Sequence, residues 1–211
     1  MCSRYSRTKG QVKVGKAKVA MKAPPQAMIR PTDKASVICK GSGGLEVADL
    51  RWGLIPSWAK DSKIGVQCIN ARAETVSEKP SFREAFQKRR CLVPADGFWE
   101  WETMGKKKIP WKFARPDGEL FCLAGLWESW MSEGEPLETF TIITTSPNEL
   151  VRSVHDRMPV ILAPGEGEIW LEGGGQDLLK PAPNDYLIKA APQPNQLTEG
   201  CFDFMDNVSP I

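Results

Sequence analysis

The sequence has a single histidine, no paired cysteines and no long apolar run. One imidazole, that of His155, excludes a histidine-rich metal cluster. The six cysteines are scattered and none forms a C-x-x-C pair, which excludes a zinc ribbon and a dithiol redox motif. We therefore expect no metal, no cofactor and reduced thiols.

A membrane segment is also missing. No stretch approaches the roughly 20 apolar residues needed to cross a bilayer, and the opening MCSRYSRTKG has no apolar core of a signal peptide. We expect a cytoplasmic protein without a membrane partner. Nothing in the sequence requires more than a monomer.

Acidic residues are absent from residues 1–32, which hold eight of the 28 basic residues. The other 20 share the rest of the chain with all 26 acidic residues. Charge separated in this way favours a polyanion on one side of the molecule. A solvated basic tail explains the same pattern, so charge alone does not decide between them.

Aromatic residues, glycine and proline are plentiful, with eight Trp, eight Phe, 18 Gly and 17 Pro. Short runs of β-branched and aromatic residues between turns predict a mainly β core in one domain, residues 1–211. The predicted strands are ASVIC, LRWGLIP, IGVQCIN, RCLVPADGFWEW, KIPWKFAR, ELFCLAGLWESW, ETFTIITTS and a late one near YLIKAA.

Three short helices are predicted around this core. Ser81 and Glu84 have the spacing of a capping box, and so do Ser146 and Glu149, which begin a helix running to about Val154. The third helix lies in GEGEIWLEGGG and ends at the glycines.

Cys2 directly follows the initiator methionine. Its small side chain permits removal of Met1, which would leave a thiol and an α-amine on one residue. An α-amine has a pKa of about 7.7–8.0, so part of it is uncharged at neutral pH. Such a pair condenses with an aldehyde to a Schiff base and then closes a thiazolidine ring. An inert residue near a frayed end is the alternative.

Two further residues are candidates for proton transfer. His155 follows a short predicted helix whose C-terminal end would stabilise an imidazolium. Glu100 lies between two tryptophans in GFWEW and points away from both if this segment is a strand. In a pocket its pKa would rise towards the acid–base range, whereas on a solvated face it would only keep the strand soluble.

Other segments suggest binding. Asn70 and Arg72 in CINARAETV offer an amide for a small polar group and a guanidinium for a phosphate. RWGLIPSWAK combines Trp52, Trp58 and Lys60, a mixture suited to stacking on unpaired bases beside a phosphate backbone. Core packing is the rival interpretation for both tryptophans, and we expect at least one of them in the core.

The order of the blocks is more informative than each block. MCSRY, WGLIPSWA, NARAET, RRCLVPADGFWEW, LAGLWE, FTIITT and VHDRMPVIL resemble, in this order, the blocks of the SRAP (SOS-response-associated peptidase) family. The resemblance runs from residue 2 to about residue 165. It implies an α+β fold, a single compact domain with a barrel-like, mainly antiparallel β core and peripheral short helices.

The resemblance also implies a sensor of abasic sites in single-stranded DNA that links itself to the sugar aldehyde. Cys2 would be the nucleophile, Glu100 would transfer protons and assist removal of Met1, and His155 would protonate the sugar oxygen. Asn70 would hold the N-terminal residue. Phosphate and DNA contacts would come from Arg4, Trp52, Arg72 and Arg157.

Two other functions remain open. A thiol peptidase or amidase of the N-terminal-nucleophile kind would also need Cys2, and a noncovalent single-strand binder would need only the basic surface.

The family usually has glycine where this chain has Ser3. If that position required a positive φ, Ser3 would strain the turn beside Cys2.

Overall fold

The computed structural model describes residues 2–132 and 134–191. Its β-strands are Tyr5–Arg7 (β1), Gln11–Val14 (β2), Ala17–Ala20 (β3), Gln26–Ile29 (β4), Lys34–Gly41 (β5), Gly44–Trp52 (β6), Asn70–Arg72 (β7), Arg90–Ala95 (β8), Gly97–Met104 (β9), Lys107–Ala114 (β10), Phe121–Ser132 (β11), Glu135–Thr145 (β12), Met158–Pro159 (β13), Ile161–Leu162 (β14) and Ile188–Ala190 (β15). Its α-helices are Arg83–Lys88 (α1), Glu149–Arg152 (α2) and Glu166–Leu171 (α3), with 3₁₀ segments at Ser62–Cys68 and Gln176–Leu178.

A closed barrel forms the centre of the fold. Its strand order is β12-β6-β5-β8-β11, and pairing of β11 with β12 closes the ring. A second sheet has the order β15-β10-β9-β1-β4, and β2 with β3 makes a separate hairpin. Pairing is antiparallel except where β12 meets β6 and β7. The predicted fold class, a mainly antiparallel barrel-like core with short peripheral helices, is confirmed.

The chain changes sheets at Asp96. The segment RCLVPADGFWEW, predicted as one run, is therefore two strands, β8 in the barrel and β9 in the second sheet. The backbone N–H of Asp96 donates to the Ser6 carbonyl at 2.9 Å, and the Thr8 hydroxyl donates to the Asp96 carboxylate at 2.6 Å. Burial favours protonation of this carboxyl group, but hydrogen bonds from Ser6 and Thr8 lower its pKa. These bonds fix β9 beside β1.

The strands β5 and β8 are buried on both faces. Val37 and Cys91 contribute to one core cluster, which also contains Cys2. Ile38 and Leu92 point to the opposite face and join a second cluster, which α1 and α3 cover. Cys2 and Tyr5 therefore pack into the core on the side away from these two helices.

Both predicted capping boxes are wrong, although all three helices exist. No side chain caps α1, which begins at Arg83. The cap of α2 is Asn148, whose side-chain oxygen accepts from the Val151 N–H at 3.0 Å. Its amide nitrogen donates to the Ala182 carbonyl at 3.2 Å, so tertiary contacts with the later chain select Asn148 over Ser146.

The predicted strand in IGVQCIN is also largely wrong. Most of it is the 3₁₀ segment Ser62–Cys68, which Asp61 begins by accepting from the Lys63 N–H at 2.9 Å. Gly65 lies so close to Gly53 that a Cβ on it would meet the Gly53 carbonyl oxygen at 2.7 Å. This backbone contact holds a loop where the residue pattern alone favours a strand.

The five cysteines within the described residues are free thiols, as predicted, and Cys201 lies outside those residues. The helices within residues 2–132 and 134–191 include no candidate for a membrane span. The late strand near YLIKAA is confirmed as β15. The prediction of one domain over residues 1–211 extends beyond the described part of the chain.

Candidate active site

Cys2 is held by a hydrogen bond from Asn70. It lies just before β1, has no exposed surface, and its carbonyl oxygen accepts from the Asn70 side-chain nitrogen at 2.8 Å. Asn70 begins β7, which pairs with β12 at Ile142. The preceding Ile69 carbonyl accepts from the Trp52 indole at 2.8 Å. Asn70 therefore lies on a fixed element, and it anchors residue 2.

The Cys2 thiol is protonated in this buried position. Burial raises its pKa well above the ordinary range, and the nearby Glu100 carboxylate raises it further. The thiol donates to the Arg4 carbonyl at 3.8 Å. A thiol in this environment is not an activated thiolate.

Glu100 is buried in the middle of β9. The backbone N–H of its neighbour Trp99 donates to the Arg4 carbonyl at 3.0 Å, which continues the pairing of β9 with the N-terminal segment. Trp99 and Trp101 are buried too, so both faces of β9 are covered here. Burial raises the pKa of Glu100 to about 7. The interpretation of Glu100 as a solvated strand residue is therefore wrong.

His155 faces Glu100. Its Nε2 lies 3.9 Å from a Glu100 carboxylate oxygen, and its Nδ1 accepts from the backbone N–H of Arg157 at 3.0 Å. Because Nδ1 accepts, a neutral imidazole carries its proton on Nε2, the nitrogen that faces Glu100. The Asp156 carboxylate lies 3.0 Å from Nδ1 and favours an imidazolium, but this side chain is largely exposed and screened.

Burial lowers the pKa of His155 to about 4, in spite of Asp156. The sequence predicted the opposite direction from the end of α2, but desolvation outweighs the helix here. At neutral pH the 3.9 Å contact with Glu100 is therefore not an ion pair between an imidazolium and a carboxylate.

Arg157 is bound by an acid that the sequence analysis missed. Its guanidinium nitrogens donate to the two carboxylate oxygens of Glu74 at 2.7 and 2.9 Å. The hydrogen bond from Arg157 lowers the pKa of Glu74. Arg72 is exposed at the end of β7 and lies opposite Thr144 of β12. The signal for Glu74 in the sequence is its position in NARAET, two residues after Arg72.

Two of the residues predicted to contact DNA, Trp52 and Arg4, are buried in the structure. Trp52 has no exposed surface and packs edge-on against Tyr5 at 5.2 Å and parallel to Phe140 at 6.2 Å. An indole enclosed in this way cannot stack on a base. Arg4 is 3% exposed and its guanidinium donates to the Ser3 carbonyl at 2.7 Å, so it is not presented at the surface for a phosphate.

The exposed aromatic residue of this region is Trp58. It is 56% exposed, and the surface around it includes Lys60 and Lys63. Ser3 causes no backbone strain, because Thr32 is the one non-glycine residue with a positive φ in the described chain. The geometry beside Cys2 therefore does not require glycine.

The fold and this site define a small β-barrel protein whose second residue, a cysteine, lies beside a buried glutamate and a neutral histidine. The family model described as SOS response associated peptidase (SRAP) matches residues 1–196, and the chain belongs to this family.

Named relatives and solved structures agree with this assignment. "Abasic site processing protein YoqW" of Bacillus subtilis is 48% identical over 155 residues, which cover 72% of this chain and 69% of the relative. "Abasic site processing protein HMCES" of Gallus gallus is 35% identical over 167 residues, covering 64% of this chain and 50% of that protein. A crystal structure from Bacteroides thetaiotaomicron has a TM-score of 0.77 at 34% identity, covering 82% of this chain and 81% of its own.

Proposed function

We propose that this chain senses abasic sites in single-stranded DNA and links itself to them covalently through Cys2 after loss of Met1. The observation that carries the proposal is the hydrogen bond by which Asn70 holds residue 2 next to buried Glu100. The relatives YoqW and HMCES are named as abasic site processing proteins, which supports the same substrate class.

The chemistry follows from the two groups that Cys2 would carry. Its neutral α-amine attacks the C1′ aldehyde of the ring-opened sugar, and water leaves as a Schiff base forms. The thiol sulfur then attacks the imine carbon, and the thiol proton ends on the nitrogen. The product is a five-membered thiazolidine in which nitrogen and sulfur are bonded to the same sugar carbon.

Glu100 is suited to the proton transfers of this sequence. A carboxyl group with a pKa of about 7 both accepts and donates protons at neutral pH. It can take the proton lost by the attacking amine and return it to the departing hydroxyl. We propose the same residue as the base that assists hydrolysis of the bond between Met1 and Cys2.

His155 and Asn70 would act on the sugar. The Nε2–H of neutral His155 can donate a hydrogen bond to the sugar oxygen during ring opening. Transfer of a full proton requires a higher pKa, and the phosphates of bound DNA would raise it by favouring the imidazolium. The Asn70 side-chain oxygen is buried, and no donor among the described residues reaches it, so it can accept from a sugar hydroxyl.

A single strand would lie along the exposed residues near the site. Arg72 and Arg157 would bind phosphates, the latter after exchanging Glu74 for a phosphate. Trp58 would stack on a base, with Lys60 beside it. All of these groups come from one chain, so a monomer is sufficient.

The test is incubation of the purified protein with single-stranded DNA containing an abasic site, followed by denaturing electrophoresis. A stable adduct is expected with damaged DNA and not with undamaged DNA. Cys2→Ala keeps an α-amine but has no sulfur for ring closure, so it should give an adduct only when borohydride reduces the imine. If Cys2→Ala gives as much stable adduct as the parent, the proposal fails.

The same variant addresses a lyase activity. A Schiff base acidifies the neighbouring C2′ hydrogen and permits β-elimination of the 3′ phosphate, whereas thiazolidine closure removes the imine. We expect Cys2→Ala to incise the strand more than the parent does. Complexes that form with either chain but dissolve in high salt would instead indicate a noncovalent binder.

A thiol peptidase acting on other proteins is the alternative function. An enzyme of the N-terminal-nucleophile kind uses the α-amine of the same residue as the base that activates its thiol, and this requires a thiol that ionises readily. In this chain burial raises the pKa of the Cys2 thiol and lowers that of His155 to about 4. These shifts favour imine chemistry of neutral groups, and cleavage of peptides in trans would contradict this preference.

A further inference from the structure

The end of the β9–β10 hairpin carries three consecutive lysines, one in the turn and two at the start of β10. Lys106, Lys107 and Lys108, the lysine tip, are all exposed, and Gly105 makes the turn with a φ of 61°. Within the described residues none of the three lysines takes part in an ion pair of 4.0 Å or less. The tip is thus a concentrated positive charge that no acidic side chain in the described part of the chain neutralises.

The lysine tip extends from the strand that carries Glu100. Pairing of β1 with β9 is antiparallel, with Tyr5 opposite Phe98, so the chain leading back to Cys2 runs in the direction of the tip. Glu100 is four residues from Met104, the last residue of β9. At about 3.4 Å per residue the start of the turn is about 14 Å from Glu100. The tip therefore projects beyond the end of the sheet at which the candidate active site lies.

We infer that the lysine tip is a second binding surface, which contacts phosphates of the DNA strand on one side of the lesion. This inference rests on the proposed function for the position of the lesion at Cys2. A strand of duplex DNA rises about 3.4 Å per nucleotide and a single strand can be more extended, so about 14 Å spans at most about four nucleotides. The contact therefore needs a flank of a few nucleotides, and a very short substrate cannot reach it.

The chain provides a matched control in its other basic hairpin. Lys13, Lys16 and Lys18 are exposed on β2, β3 and the turn between them. The buried residues of that hairpin, Val12 and Val14, belong to the cluster on the helix side, which does not contain Cys2. Neutralising either trio removes the same charge, but only the lysine tip projects from the sheet that carries Glu100.

The experiment compares the parent, K106Q/K107Q/K108Q and K13Q/K16Q/K18Q. Binding to a single strand of roughly 20 nucleotides with a stable abasic analogue is measured by fluorescence anisotropy at several salt concentrations. Each lost phosphate contact lowers the slope of log K against log salt by about 0.7, so the tip variant should lose about 2 and the control close to none. At 0.1 M salt this corresponds to about 100-fold weaker binding by the tip variant. Equal losses in both variants would mean a general charge effect and would overturn the inference.

Substrate length gives the second measurement. With an abasic trinucleotide, the tip variant should form the covalent adduct at the parent's rate, because the lysines are out of reach. With the long strand at low concentration it should be slower. Equal slowing on both substrates would place the lysines in the active site or the fold and overturn the inference. If the parent itself forms no adduct, the proposed function fails. The anisotropy comparison would still show whether the lysine tip binds DNA, because it does not depend on adduct formation.

Discussion

Replacement of Glu100 by glutamine should stabilise the protein while removing its activity. Burial raises the pKa of Glu100 from 4.5 to about 7, which corresponds to about 3 kcal/mol. The sign follows from the two states. Below pH 4.5 Glu100 is protonated in both the folded and the unfolded chain, so its pKa shift costs no stability. Above that pH the unfolded chain releases the proton first, and the folded state becomes less stable until about pH 7. The neutral glutamine avoids this loss.

The gain from Glu100→Gln should therefore depend on pH. From these pKa values it is about 1 kcal/mol at about pH 5 and about 3 kcal/mol at about pH 8. Urea unfolding at the two pH values measures it, in chains whose intact masses show the same N-terminal residue. At the higher pH His155 is neutral in both states and does not contribute. For a domain of this size the gain corresponds to a rise in Tm of roughly 6–12 °C.

The pH dependence separates this explanation from a packing effect of glutamine. A gain that is the same at both pH values would mean that Glu100 is ionised in the folded chain as readily as in the unfolded chain. That result would refute the assignment of Glu100 as a proton donor and acceptor near neutral pH. Loss of adduct formation alone would not distinguish these cases, so both measurements are needed.

Three other substitutions test the remaining parts of the site. Asn70→Ala should slow adduct formation about 10–100-fold by releasing residue 2, seen in a quenched time course, while urea unfolding changes by about 1–2 kcal/mol. Trp52→Ala should cost about 3–5 kcal/mol of stability. Trp58→Ala should leave the free energy of urea unfolding within about 0.5 kcal/mol of the parent's and weaken single-strand binding by about 1–3 kcal/mol, measured by anisotropy. The reverse pattern would contradict the assignment of Trp52 to the core and of Trp58 to the binding surface. Glu74→Gln should tighten binding to undamaged single strands and steepen its salt dependence by freeing Arg157, and unchanged anisotropy would show that Glu74 does not compete with phosphate.

The residues of the candidate site, though not their roles or environments, could be picked out from the sequence. Ordered motifs identified Cys2, Asn70, Glu100 and His155 as candidates, and the structure places Asn70 on Cys2 and His155 on Glu100. Burial could not be inferred locally. In an alternating strand Glu100 is expected on one face, opposite to its neighbours, but the change of sheet at Asp96 brings β9 under cover on both sides.

The distribution of surface charge could not be inferred locally either. The N-terminal excess of basic residues favoured a polyanion-binding face, yet Arg7 is buried and donates to the carbonyls of Lys9, Ala23 and Pro24. Its role is to bind loop carbonyls, and it is not part of an exposed surface. Composition counts a buried arginine and an exposed lysine alike, so the distribution of surface charge required the fold.

Burial of Cys2, Glu100 and His155 favours their neutral forms, and this combination fits the proposed reaction better than peptide cleavage. Formation of an imine needs an uncharged amine, a proton donor for the departing hydroxyl and little competing water. A thiolate would add to the aldehyde directly and reversibly. A protonated thiol becomes nucleophilic only when Glu100 takes its proton, after the imine has formed, and Glu100 then passes this proton to the ring nitrogen. The buried carboxyl group thereby sets the order of the two steps. The carbon–nitrogen bond forms first and the carbon–sulfur bond second, so the closed ring is the end product.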